Sequence, residues 1–471
     1  MSSPSSSRCW ILDRTAAERL AGGPAPLPWD AARDAAPGEA VIRVEAAGFN
    51  YKDALACSGH PGVARAFPLI PGIDAAGTLE RAVGDLPAGT PVVVTGNEMG
   101  ESRPGGFATQ LRMPREAVVR RPDGLSARDA MAMGTAGLTV LLACDRLKML
   151  LAAGHAAPPD AEWLVTGASG GVGMLAVAAL AAEGRRVVAC TRKERARRPL
   201  EMLGAAKVAT PTEIVDPSPK SLARSRWAGV IDTVGGELLA NLLRSVRSGG
   251  AVAAIGMAGG TRLDTTVHPF ILRGITLTGI DAATLPTQAE RAALWPRLAD
   301  FWPRVRDALP VTTLGLEQVG DWAEAMLRGE SIGRAVVVPA APRLPHHSIH
   351  LGSAWEPPQT EPAGDPALGR IWLRRFGRPS GIGAGDTVWL VLENPASASV
   401  RLNGATLPPP RAGQVRWSHE ITPLLRDRNE LEIVADAAMI APGTTDAHGR
   451  QPLPESFGRI SLEIVSGGGN P

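Results

Sequence analysis

The sequence predicts an α/β protein: a β-rich domain, then a doubly wound parallel-sheet domain, then a separate all-β sandwich of jelly-roll type at the C-terminus. Three observations carry that reading. The stretch Leu164–Gly173, LVTGASGGVG, joins an apolar run to an apolar helix through a glycine-rich turn. Short strand patterns with Gly and Pro turns fill the chain from Trp10 to Arg120, ahead of that unit. Strand patterns return from Gly369 to Val465, after a Pro-dense stretch. A chain of 471 residues is long enough for two or three domains.

In chain order, Met1–Ser7 reads as a Ser-rich disordered tail. Glu39–Glu45 (EAVIRVE) alternates as a half-buried strand should, and Pro91–Thr95 (PVVVT) is a second strand after a Gly-Thr turn. Ala127–Leu151 reads as helical, with Gly134, Gly137 and Thr139 permitting close packing. Trp163-Leu164-Val165 is a short buried strand and Met174–Ala182 (MLAVAALAA) an apolar helix. Arg186–Cys190 (RVVAC) is the next strand, and Ala228–Val234 and Ala251–Ile255 follow, each running out into glycine. Leu285–Leu309 and Gly320–Gly329 are helical, and Arg334–Val338 (RAVVV) is a strand able to return to the first domain's sheet. The expected boundaries are 8–134 with 310–339 for the β-rich domain and 135–309 for the parallel-sheet domain. Residues 340–368 have linker composition, and 369–468 form the sandwich. Its strands are IWLRRF, TVWLVLE, SVRLNG, QVRWSHEI, ELEIVA and RISLEIV, with no helix of three turns between them.

Strand, glycine turn and helix in that order make a dinucleotide-binding unit. Gly167 permits the sharp turn. Gly170 and Gly171 let a pyrophosphate lie against the main chain, and Gly173 lets the helix pack close to the strand. Free N–H groups at the helix start, with the helix dipole, favour a diphosphate. An acidic residue at the end of the second strand would hold the ribose hydroxyls of NAD. Here that strand runs into Thr191-Arg192-Lys193, with no carboxylate before Glu194. Two cations suit the additional phosphate of NADP. With Arg195, Arg197 and Arg198 following, a solvated basic turn is the alternative.

Composition excludes other classes. A net charge of +2 makes no global case for nucleic acid or a membrane surface, and no apolar run is long enough to span a bilayer. Hydrophobic residues at 44% suffice for real cores. Cys9, Cys57, Cys144 and Cys190 are scattered, so neither a disulfide framework nor a structural zinc knot is suggested. No charged-then-apolar leader opens the chain, and a cytoplasmic location is the expectation. His268 and the pair His346-His347 read as surface or linker residues and not as metal ligands.

Trp10–Pro339 resembles the medium-chain dehydrogenase/reductase superfamily, and within it the acrylyl-CoA reductase branch of the quinone oxidoreductases. The residues carrying this are Asn50–Leu55 (NYKDAL), Phe67–Gly77 (FPLIPGIDAAG), Gly134–Gly137 (GTAG), Leu164–Gly173 and His268–Arg273 (HPFILR). The resemblance implies a GroES-like substrate domain with a Rossmann domain, and reduction by NADP(H) of an activated carbon–carbon double bond. An acryloyl-CoA-like thioester is the favoured acceptor and a quinone the alternative. Zinc alcohol dehydrogenases of this superfamily carry Cys where Asn50 stands and His where Ile73 stands, so no metal is expected. By resemblance Tyr51 contacts the cofactor, with a core Tyr whose hydroxyl is satisfied as the alternative. Asn50, Lys52 and Asp53 sit near the site, with an exposed Lys52–Asp53 ion pair as the bland reading. Ser169–Val172 wraps the diphosphate, Thr191–Lys193 meets the adenosine phosphate with help from Lys207, and Ile255, Ile271 and Asp281 line the nicotinamide side. Reductases of this kind commonly pair through the nucleotide domain, so a homodimer is expected.

The segments Val400–Gly404 (VRLNG) and Glu420–Ala435 (EITPLLRDRNELEIVA) resemble the galactose-binding-like sandwich of glycoside hydrolases. Such sandwiches are often structural, and Trp389 and Trp417 suit core packing better than a sugar. A non-catalytic nucleotide-binding scaffold, its tail binding carbohydrate weakly, stands as the rival class.

Overall fold

The computed structural model describes residues 7–339 apart from 15–19, 30–33, 153–157, 159 and 285. In the tail it describes 347–351, 355–359, 370–380, 382, 386–393, 398–409, 416–435 and 460–465. Residues 1–6 of the Ser-rich start and much of the expected linker (340–346, 352–354, 360–368) lie outside the described residues. The chain divides into two compact units, Met1–Ala341 and Pro342–Pro471.

In the first unit, β1 (Arg8–Arg14) and β2 (Leu20–Pro26) form an antiparallel ribbon. The spine of the β-rich domain is β3 (Glu39–Phe49), in which Val41, Ile42 and Val44 are buried and Arg43 is exposed. β4 (Asp74–Leu79) and β6 (Gln110–Pro114) pair with β3, and β5 (Pro91–Thr95) and β7 (Val119–Arg120) continue the sheet. The far edge is built from the end of the unit: β14 (Val311–Leu314) and β15 (Arg334–Val337), with β15 antiparallel to β3 through Ala335–Phe49. The return of RAVVV to the first sheet is therefore present.

The nucleotide-type sheet is six parallel strands in the order β10-β9-β8-β11-β12-β13. They are β8 (Glu162–Val165), β9 (Arg186–Cys190), β10 (Lys207–Ala209), β11 (Trp227–Asp232), β12 (Val246–Ala254) and β13 (Thr276–Gly279). The order reverses beside β8, which opens a crevice at the carboxyl ends of β8 and β11. Every residue of β11 is buried, as a strand covered on both faces requires. Five helices matter to the site: α1 (Tyr51–Cys57), α2 (Ala127–Ala152), α3 (Gly171–Ala182), α4 (His268–Arg273) and α5 (Gln288–Val305). Met133, Leu138 and Leu147 of α2 share one core with Leu175 and Val177 of α3 and Trp295 and Leu298 of α5. The α5 pattern predicts a start at Leu285. The helix instead begins at Gln288, because Thr287 accepts a bond from the Glu290 N–H at 3.2 Å and Glu290 accepts one from the Thr287 N–H at 2.7 Å. That reciprocal cap fixes the first turn.

The tail contains two antiparallel sheets. One is β16 (His347–His350), β24 (Ile460–Val465), β19 (Thr387–Glu393) and β22 (Arg416–Glu420); the other is β17 (Glu356–Gln359), β18 (Arg370–Gly377), β23 (Arg428–Ala435), β20 (Ala398–Leu402) and β21 (Ala405–Thr406). Val388, Leu390 and Leu462 from the first share a core with Trp372, Val400 and Ile433 from the second. Asn403 and Gly404 join β20 to β21 with φ of 53° and 85°, the left-handed pair a two-residue hairpin needs. The linker expectation for 340–368 is corrected in part. β16 and β17 fall inside it, and Leu351 and Trp355 are buried in the tail's core. Two apolar side chains outweigh the Pro-rich composition, and β17 is an edge strand, where Pro357 and Pro358 need not supply both edges with N–H donors.

Candidate active site

The glycine turn divides its work among its residues. Gly167 has φ of 56°, and a side chain there would meet Thr233 Oγ1 at 2.2 Å. Gly173 permits contact with Gly167 and Ala168, where a Cβ would fall 2.4 Å from the Gly167 carbonyl oxygen and 2.6 Å from Ala168 Cα. Gly170 is open: its nearest neighbour is that carbonyl oxygen at 3.4 Å. At Gly171 a Cβ would lie 2.3 Å from Arg334 Cδ, so its bareness admits the Arg334 stem. The first-turn N–H groups of α3, those of Gly171, Val172 and Gly173, have no helical carbonyl to bond. Ser169 lies just ahead of them and is buried. With the open face of Gly170, these amides fit a diphosphate.

At the end of β9, Thr191 is buried, and its hydroxyl accepts a bond from the Lys193 N–H at 3.1 Å. Arg192 is exposed. The Lys193 ammonium donates to the Ser331 carbonyl, and the Arg195 guanidinium to the Glu330 carbonyl. Burial, then the cations of Arg195 and Arg192, pull the Lys193 ammonium below its ordinary range. Such a cluster fits a phosphate dianion. The Lys207 ammonium lies 3.6 Å from Glu213.

Ile255 and Asp281 emerge side by side, because β12 and β13 are in register through Ala254 and Gly279. Asp281 accepts bonds from the N–H groups of Ala283 at 3.0 Å and Thr284 at 3.1 Å. Ile271 is 72% exposed on α4. Two residues on, Arg273 donates to the carbonyls of Arg244 and Val246.

The cleft floor is a buried polar network. Asn50 caps α1. Its amide nitrogen donates to Asp74 at 2.8 Å and to Asp53 at 3.3 Å, and its amide oxygen accepts from Arg334 at 3.1 Å. Every polar atom of that side chain is engaged, so Asn50 orients its neighbours and has no free donor for a substrate. Asp53 is fully buried and also accepts bonds from the N–H groups of Asn50, Gly72 and Ile73, at 2.8, 3.1 and 2.8 Å. The bland alternative, an exposed Lys52–Asp53 pair, is therefore removed: Lys52 reaches Glu101 at 2.5 Å, and Arg65 approaches the same carboxylate at 3.6 Å. Successive residues of α1 are about 100° apart around the helix, so Asp53 enters the floor while Lys52 reaches the outer loop. Asp74 accepts from the Thr135 N–H at 2.9 Å and from its hydroxyl. Burial, with the Asp74 carboxylate adding to it, pushes the Asp53 carboxyl up to about 7, and burial raises Asp74 too. Tyr51, first residue of α1, is 38% exposed, which removes the core-Tyr alternative.

Asp74, Thr135, Arg334 and Glu101 were missing from the expected site. Their signal was a polar or charged residue inside an apolar or glycine-rich run, as in Ile73-Asp74-Ala75-Ala76 and Gly333-Arg334-Ala335-Val336.

A parallel sheet with a glycine turn at its crevice, closed by a β-rich domain that the chain leaves and re-enters, defines a two-domain dinucleotide-dependent oxidoreductase. Comparison with known proteins agrees. The family model described as alcohol dehydrogenase GroES-like domain matches residues 36–123, and that described as zinc-binding dehydrogenase matches 171–300. "Probable acrylyl-CoA reductase AcuI" of Escherichia coli (strain K12) is 41% identical over 301 residues, 64% of this chain and 91% of that one. YhfP of Bacillus subtilis, named provisionally as a quinone oxidoreductase, is 38% identical over 63% of this chain and 89% of its own. Its structure with NAD bound gives a TM-score of 0.63. The yhdH oxidoreductase of Salmonella enterica, solved with NADP, is 37% identical with a TM-score of 0.63, over 70% of this chain and 99% of that one. The chain belongs to the medium-chain dehydrogenase/reductase superfamily. Among the described residues no helix is long and apolar enough to cross a membrane.

Proposed function

We propose that the protein is an NADPH-dependent reductase of activated carbon–carbon double bonds, with an acryloyl-CoA-like enoyl thioester as acceptor. The observation carrying this reading is the basic turn, where Lys193 is half-buried among Arg192 and Arg195 and, among the described residues, its ammonium holds a neutral carbonyl. The acrylyl-CoA reductase name of a 41% identical relative supports the thioester. NADPH, when bound, supplies a hydride. The α3 amides and Gly170 hold the diphosphate, and Arg192 and Lys193 hold the adenosine phosphate. The Asn50 network fixes α1, so that Tyr51 is presented to the cleft. The carbonyl conjugation already polarises the double bond, so the protein's task is to position the acceptor. The β-carbon takes the hydride, the α-carbon takes a proton from water, and the double bond becomes single. We read this as metal-independent, because Asn50 is saturated by Asp53, Asp74 and Arg334 and Ile73 offers no donor.

The second reading, quinone reduction, is favoured by the name of YhfP. NADPH oxidation by acryloyl-CoA and by 1,4-benzoquinone, run side by side before and after dialysis against EDTA, separates the two. Faster turnover with acryloyl-CoA that survives dialysis is expected. Faster benzoquinone turnover favours the second reading, loss that zinc restores removes metal independence, and oxidation by neither acceptor removes both.

The protein is further read as a homodimer formed through the nucleotide domain. β13 is the last strand of its sheet, and Val267 and Leu272, at the cap and in the last turn of α4, are exposed. Sedimentation at micromolar concentration tests this, and a monomer would refute it. The tail is read as a galactose-binding-like sandwich with a structural role. Trp417 is buried and stacks on His419 at 6.0 Å, which leaves little ring face for a sugar.

A further inference from the structure

Five residues, Glu330–Arg334, touch the basic turn, the glycine turn and the cleft floor. The carbonyls of Glu330 and Ser331 accept from Arg195 and Lys193 in the basic turn. The Gly333 N–H donates to the Ser169 carbonyl at 2.9 Å, and Gly333 bridges Gly170. The Arg334 stem lies on Gly171. Its guanidinium, buried at 4% exposure, donates to the carbonyls of Ala132 at 2.9 Å, Phe49 at 3.0 Å and Met131 at 3.3 Å, and to the Asn50 amide oxygen. The segment leads directly into β15 of the β-rich domain, whereas the glycine and basic turns belong to the nucleotide domain.

We infer that Glu330–Arg334 is a spacer fixing the distance between phosphate turns and cleft floor, and that Arg334 is the positioning residue at its inner end. The geometry gives each part a task. Gly333 has φ of 67° and would set a Cβ 2.2 Å from the Pro310 carbonyl, so only glycine passes there unstrained between the two domains. A planar guanidinium reaches divergent acceptors in fixed directions, whereas an ammonium is a single point. Arg334 thereby holds the last residue of β3, the cap of α1 and the Met131–Ala132 stretch of α2 together. Tyr51 follows that cap directly, so its placement relative to Gly170 depends on Arg334, 283 positions on. Lys193 and Arg195 anchor the outer end.

The inference rests on the reading that NADPH spans this cleft, and its test separates the two. Three full-length variants are compared with the parent: Arg334→Lys, Gly171→Ala and Arg328→Ala. Arg328 forms an exposed pair with Glu330 at 3.0 Å and serves as the control. Amide hydrogen exchange is measured in cofactor-free protein, and NADPH affinity by fluorescence titration. Arg334→Lys is expected to speed exchange at Asn50–Asp53 and to raise the NADPH Kd on the order of tenfold, with a larger fall in kcat, because misplacement taxes the reacting geometry most. Gly171→Ala presses on the Arg334 stem from the other domain and is expected to speed exchange at Asn50–Asp53 as well; this arm decides if Arg334→Lys does not fold. Arg328→Ala is expected to match the parent. Unchanged exchange at Asn50–Asp53 in the folded variants overturns the spacer. A parent that does not bind NADPH overturns the cofactor reading, while the exchange data still decide the spacer.

Discussion

At the residue scale the floor collects two carboxylates and one guanidinium around a single amide. Asn50 can satisfy Asp53, Asp74 and Arg334 at once because an amide carries donors on one atom and acceptor lone pairs on the other. Burial leaves a pH signature. The Asp53 carboxyl is pushed up to about 7 from 3.8, so between those values the folded chain holds a proton that the unfolded chain has released. Stability from this group therefore falls as pH rises through that window and is level above it. Asp53→Asn places an amide against N–H donors and is less stable throughout. Its Tm deficit is expected to narrow between pH 5 and pH 7.5 on the order of several degrees, and a deficit independent of pH would refute the upward shift. In the basic turn, replacing Arg192 and Lys193 together with Ala removes charge-assisted bonds to a phosphate. The expected loss is about 3 kcal/mol, on the order of a hundredfold in NADPH Kd, with NADH little affected. Equal affinities of the parent for the two nucleotides would remove its basis.

At the scale of elements, the bend in α2 is where helix and floor meet. Gly134 has φ of 47° and ψ of −144°, outside helical geometry, within an otherwise continuous 26-residue helix. The bend turns the Thr135 N–H and hydroxyl toward Asp74. A Cβ at position 134 would fall 2.3 Å from Asp74 Oδ2, and an L-residue is strained at that φ. Gly134→Ala is therefore expected to cost about 2–4 kcal/mol, from strain and overpacking together. Thermal unfolding checks this, and Gly137→Ala makes the comparison. A Cβ at Gly137 meets the flexible end of Leu298 at 2.9 Å, at an ordinary φ. The larger loss belongs at Gly134, and equal losses would show that its backbone is not under that constraint.

At the scale of the whole molecule, the elements of the site lie in the unit Met1–Ala341. The sheet of the β-rich domain is completed by β15, which ends at Val337, and the tail has a hydrophobic cluster of its own. A chain ending at Ala341 is expected to fold and to retain most of its kcat with the better acceptor. The piece from Leu344 onward is expected to fold alone with a β-type circular dichroism spectrum. If the shorter chain is soluble, binds NADPH and no longer turns over, the tail contributes to catalysis or to an obligatory assembly.

What the sequence determined by itself was local. The glycine turn, the alternation of strand and helix, the basic end of β9 and the Asn403-Gly404 hairpin are legible because residues near in sequence create them, through period, backbone freedom and charge. Tertiary structure decided where charge is buried and what it meets. Arg334 and Asn50 are 284 positions apart, and Asp74 and Thr135 are 61 apart. No spacing rule connects such pairs, so a charge inside an apolar run announces burial without naming its partner. Lys52 and Asp53 show the same limit at the shortest range, since neighbouring residues on a helix face different surroundings. Gly171 was read as room for a diphosphate, and its bare face is also where the Arg334 stem lies. A missing side chain shows that something approaches, and only the folded chain shows what.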